Sequence, residues 1–132
     1  MAAHAFGVAW VLFAVTFATH FTDEAIHGFL PEYNSRVRMI RNKLPLLPIP
    51  TFSFAGWLSL LVAGFVVLLC LSPLAFHNSP SLHFAARPIA IVLGIFNAGL
   101  HLVGSIWYQR RMPGFYSSPL LLIASVYLLR TS

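Results

Sequence analysis

The chain contains three carboxylates, and two of them stand side by side shortly after a histidine, in His20-Phe-Thr-Asp23-Glu24. On a helix, residues four apart share a face, so His20 and Glu24 are neighbours and Asp23 lies close by. A carboxylate beside an imidazole holds its charge or fixes its tautomer. Asn97 and His101 repeat the four-residue spacing farther along. His20 and His101 with Glu24 and Asp23 make a ligand set for a divalent metal with open positions, zinc or iron by donor type. Helical bundles hold such sites between facing helices. The same groups suit acid-base catalysis, with His20 and His101 moving protons, Glu24 as general base and Asn97 as an orienting donor. A third reading is helix glue, with His20 bonded to Asn97 and the carboxylates paired with loop arginines at headgroup level. Spacing alone leaves the three open. His27 reads as a snorkelling edge residue.

The elements that must position these groups follow from composition. Of 132 residues, 58% are hydrophobic and 8% charged, against about 25% charged in soluble domains. A water-exposed surface cannot be built from this chain, and the bilayer is the solvent that fits. The length allows roughly four spans of about 20 residues in a single transmembrane domain. The expected fold is all-α, a bundle of four transmembrane helices with the fourth short. A formal charge of +5 raises the question of nucleic acid, but the charges lie between apolar runs rather than in a patch, so the expected partner is lipid. Cys70, the one cysteine, excludes an internal disulfide and reads as a buried, inert thiol. The N-terminus lacks a basic n-region and a clean cleavage site, so the first helix is expected to stay.

The spans are expected at about 5–30, 51–72, 88–109 and 115–130. Pro31 is expected to end the first. The segment 31–50 reads as a basic loop with at most a short interfacial helical piece before Pro45, Pro48 and Pro50. In the second span, Gly56, Ala63 and Gly64 offer small positions for a neighbouring backbone, and Ala90, Gly94 and Ala98 do so in the third. The connection 73–86 reads as turn-rich, with His77 and His83 solvated. Asn97, His101, Ser105 and Tyr108 form a polar stripe on the third helix. Ser117 or Ser118 can cap the fourth, with Pro119 in its first turn.

If all four helices cross, Arg36, Arg38, Arg41, Lys43, Arg110 and Arg111 fall on one side, and Arg87 and Arg130 on the other. The positive-inside rule then puts the six in the cytoplasm and both termini outside, in a plasma or inner membrane. At 1.5 Å per residue, His20 and His101 lie about 22 Å and about 20 Å from the outer edge on parallel helices. Side chains at one depth on two helices can meet.

These residues carry a resemblance. His20-Phe-Thr-Asp23-Glu24, Asn97-Ala-Gly-Leu-His101, then Pro113-Gly114 and Ser117 look like the HXXEE family of integral membrane proteins. That family is similar in size and has His-x-x-Glu-Glu in its first helix. A later helix carries Asn-x-x-x-His, followed after a basic pair by Pro-Gly and a hydroxyl residue. The order agrees over the first, third and fourth helices, and Asp23 stands where the motif has Glu. The family has no established activity; the resemblance implies that His20, Glu24, Asn97 and His101 act together at one site. The function expected is a membrane-embedded enzyme acting on a lipophilic small molecule by acid-base or metal-assisted chemistry. The alternative is a non-enzymatic proton or metal carrier, or a helper subunit of a membrane complex.

Overall fold

The computed structural model describes residues 2–132. Its helices are α1 (Ala2–Ile26), α2 (Phe29–Lys43), α3 (Phe54–Cys70), α4 (Ser72–Phe76), α5 (Pro80–Ile89), a π-helical stretch Ala90–Phe96, α6 (Asn97–Trp107) and α7 (Ser118–Thr131). No strand occurs among the described residues. Three continuous helical stretches, His4–Ile26, Phe54–Phe76 and Pro80–Trp107, are long and apolar enough to cross a membrane, and α7 is a shorter apolar helix. The architecture is the expected four-helix bundle, with two departures in where the helices begin and end.

The first span stops at Ile26, because Gly28 adopts φ 76° and breaks the helix. Pro31 therefore does not end a helix. It sits in the first turn of α2, where a missing N–H removes nothing that the helix uses. The segment expected to be mostly loop is a helix of 15 residues, with Leu30 and Val37 buried. The proline-broken segment after it folds back along α2. Tyr33 donates its hydroxyl to the Pro50 carbonyl (3.0 Å), and the Asn34 amide pairs in both directions with the Phe52 backbone (2.8 and 3.0 Å).

The third span begins at Pro80 rather than Pro88, so the connection from α4 is confined to residues 77–79. His77 is exposed in that turn as expected. His83 is not a solvated loop residue: it lies on α5, stacks on Phe6 with ring centroids 3.8 Å apart, and pairs with Asn78. Pro88 lies inside this helix. A proline there removes one backbone hydrogen bond and crowds the preceding turn. The wider π turn follows directly.

Helix α1 is the centre of the molecule. Phe6, Ala9, Trp10, Phe13, Ala14, Phe17 and Phe21 are buried along it, the stripe that a period of 3.6 produces. Half of its apolar window is buried, against 11% for Phe54–Phe76. Helix α3 is peripheral, tied in by Trp57, Leu68 and a bond from Trp10 Nε1 to the Leu68 carbonyl (2.7 Å). Its small residues do not make the expected contact: a Cβ on Gly64 would meet nothing within 4 Å. Cys70 is exposed rather than buried, for the same reason. The close approach is made by Gly94 instead, where a Cβ would collide with Ser125 of α7 and lie 3.1 Å from Phe13. Ala90, Gly94 and Ala98 are all buried, as the four-residue repeat of small side chains implies.

Candidate metal centre

His20 and Glu24 project from the same face of α1, one turn apart, and His101 meets them from α6. Glu24 Oε1 lies 3.5 Å from His20 Nε2 and 2.9 Å from His101 Nε2. The imidazole rings stand edge to face, centroids 5.0 Å apart. All three side chains are buried. Placing two imidazoles and a carboxylate in a dry interior costs several kcal/mol unless they compensate one another. Here each histidine faces the one carboxylate.

The partners around the cluster decide which nitrogen carries a proton. His20 Nδ1 lies 2.9 Å from Ser117 Oγ. The Ser117 hydroxyl donates to Asp23 Oδ2 (2.7 Å), and its backbone N–H donates to the same oxygen (2.9 Å). With the hydroxyl proton committed to Asp23, Nδ1 of His20 must be the donor to Ser117. In the neutral imidazole this leaves a lone pair on Nε2, the atom facing Glu24. That Nε2 has no hydrogen-bond partner, although it is buried, and neither has His101 Nδ1. Buried polar atoms are seldom left so.

Asp23 is thus not brought to the cluster as a ligand. Its other oxygen lies 2.7 Å from His27 Nδ1, and it acts on His20 only through Ser117. Adjacent helical residues point about 100° apart, so Asp23 and Glu24 cannot both face His101. Asn97 is also apart. It is half-buried and lines a cavity of about 460 Å³ on the far side of His101, with Phe29, Leu100, Val103 and Trp107. Arg36 and Tyr108 stand at the same cavity, the guanidinium 4.4 Å over the Tyr108 ring. Glu32 bonds to both Arg36 and Arg110 and so ties α2 to the end of α6. Burial opposes the charge on Arg36, but its bonds to Glu32 and Tyr108 outweigh that and raise its pKa. It stays cationic.

The connection between α6 and α7 closes the cluster. Ser105 donates to the His101 carbonyl (2.6 Å) and accepts from the Met112 N–H (2.9 Å), which turns the chain back over the site. Gly114 then sits on the three side chains: a Cβ there would lie 3.0 Å from His20, 3.1 Å from Glu24 and 3.1 Å from His101. Its φ of +84° also favours glycine. Ser117 occupies the N-cap position of α7, as expected, but makes no capping bond; its hydroxyl serves Asp23 and His20 instead. Sequence reasoning missed Gly114 as a cover and the cavity residues of α2. For the α2 residues the available signal was Glu32 four residues before Arg36, a helical ion-pair spacing; for Gly114 it was the Pro113-Gly114 pair of the resemblance.

The donor set fits a divalent cation. A ligand bond of ~2.0–2.1 Å puts two ligands of a tetrahedral ion roughly 3.3 Å apart. The two histidine–carboxylate separations bracket that value, and one donor atom from each of the three residues lies within 4.8 Å of the others. Two histidines and one carboxylate are the protein ligands of hydrolytic zinc sites and of non-haem iron sites, both of which keep open positions. The Ser117–Asp23 pair behind His20 is the kind of support that orients a metal-bound imidazole.

Among known proteins, no family model, no curated protein and no solved structure matches the chain.

Proposed function

We propose that this protein is a membrane-embedded enzyme whose centre is a divalent-metal site formed by His20, Glu24 and His101, acting on a lipophilic small molecule. The observation that carries this reading is the buried His20 Nε2, which makes no hydrogen bond and lies 3.5 Å from a carboxylate that already faces a second imidazole. Helix glue needs no such orphan, because a structural pair gains by satisfying every donor and acceptor. A bound cation would supply Lewis acidity, or redox chemistry if it is iron. The chain's own residues do the rest. His20, Glu24 and His101 hold the site on two helices, and Ser117 with Asp23 fixes the His20 tautomer. Gly114 excludes water from above, and the cavity beside His101 admits an apolar molecule. The HXXEE resemblance groups His20, Glu24 and His101 with Asn97. The excess of basic residues at the α2 end of the bundle supports a reading with that end in the cytoplasm and both termini outside.

The test separates a working site from a structural one. The double change His20→Leu with Glu24→Leu removes the α1 half of the cluster and strands no charge on that helix. The variant is expected to insert and fold, shown by an unchanged detergent-solubilised elution profile. It is also expected to fail to restore a deletion strain's growth or lipid profile. A folded, inserted double variant that still rescues would remove the case for chemistry at these residues.

A further inference from the structure

The cavity behind His101 has features that the metal centre does not use. Its volume of about 460 Å³ is within the range of small-molecule sites. Leu100, Val103 and Trp107 on its wall are 55%, 64% and 79% exposed, so in a bilayer it opens sideways into lipid rather than into water. His101 is shared with the metal cluster: its Nε2 faces Glu24, and its Nδ1 is buried without a partner. At the α2 end of the cavity Arg36 lines the wall and shares the single carboxylate of Glu32 with Arg110, which stands outside the cavity. That leaves one uncompensated positive charge beside Tyr108.

We infer that this cavity is the substrate site and takes a long-chain carboxylate from the bilayer, its headgroup on Arg36 and its chain along Leu100, Val103 and Trp107. A guanidinium binds a carboxylate through paired charge-assisted hydrogen bonds. One residual charge matches a monoanion better than a dianionic phosphate monoester. An apolar chain loses nothing on passing from lipid into a cavity walled by leucine, valine and tryptophan. Asn97 and His101 then stand beside the chain where the cavity meets the metal centre. The inference rests on the proposed function for its meaning as a substrate site, but binding can be read without metal.

The full chain is reconstituted in nanodiscs of zwitterionic phosphatidylcholine and titrated with a nitroxide-labelled long-chain fatty acid or with its methyl ester, while tryptophan fluorescence is followed. The acid is expected to quench with a saturable component that disappears in Trp107→Phe and in the cavity-filling Val103→Phe. Arg36→Gln is expected to weaken the acid about tenfold or more and to leave the ester unchanged. Glu24→Gln, which removes a metal ligand, is expected to keep the saturable component, so loss of the metal reading and loss of the cavity site are distinguished. Quenching that never saturates and is equal for acid and ester in wild type and Val103→Phe means exposure to bulk lipid only, and overturns the proposal. An equal effect of Arg36→Gln on acid and ester overturns the assignment of the headgroup.

Discussion

At the residue scale, the meeting of His20, Glu24 and His101 was legible from the four-residue spacing on the first helix and the matching depth of His101 on the third. The exclusion of Asp23 and Asn97 was not. Asp23 is one residue from Glu24 and points away from it, toward Ser117, a partner 94 residues on that no local pattern reveals. Asn97 lies four residues before His101, about 6 Å along the helix, and lines the cavity beside it. Two substitutions test this arrangement. Ser117→Ala leaves His20 Nδ1 without its partner and removes one of the two hydrogen bonds that Ser117 gives Asp23. It is expected to cost about 1–3 kcal/mol in thermal or denaturant unfolding and to weaken metal binding about 10–100-fold against a competing chelator; Ser117→Thr is expected to restore most of both. Unchanged metal affinity in a folded Ser117→Ala protein would show that the pair does not orient His20. Gly114→Ala brings a methyl group onto the cluster at a left-handed backbone position, a strain of at least about 1–2 kcal/mol. A melting temperature equal to wild type would mean that the turn does not close over the site.

At the element scale, apolar runs and prolines located the helices, but the ends were misplaced where a proline had two meanings. Pro31 and Pro88 were both read as boundaries. Pro31 instead opens α2, and Pro88 lies within a continuous helix, accommodated by the π turn that follows it. Proline in a first turn and proline after a last turn share the same sequence neighbourhood; what separates them here is Gly28, whose positive φ breaks the chain three residues earlier. The small-residue repeat of the third span was readable, whereas its partner was not: Gly94 receives Ser125 of α7. Gly94→Val is therefore expected to push α7 outward and destabilise the bundle by about 1–3 kcal/mol, while Gly64→Val on the open face of α3 stays within about 0.5 kcal/mol. Melting curves of the two variants in the same detergent check this. Equal effects would contradict the packing assigned to α3 and α7.

For the whole molecule, composition alone pointed to a helical bundle in a membrane, because so few charges cannot solvate a surface. The long-range ties between ends could not be read from it. Arg110 reaches Glu32, and so the basic segment between the first and second spans shares one end of the bundle with the basic pair after the third; Arg87 reaches the Ser132 carbonyl at the other. Reporter fusions after Asn42, Asn78 and Ser132 are expected to read inside, outside and outside. An inside signal at Ser132 would mean that α7, 14 residues and about 21 Å long, does not cross. The central claim is that His20, Glu24 and His101 bind a metal ion, and cobalt(II) titration of the purified chain in detergent tests it most directly. One equivalent per chain with visible ligand-field absorption is expected for the wild type, and its loss is expected in His101→Ala and in His20→Ala. A folded wild-type chain that shows no such absorption, or the same absorption in both variants, would contradict the account.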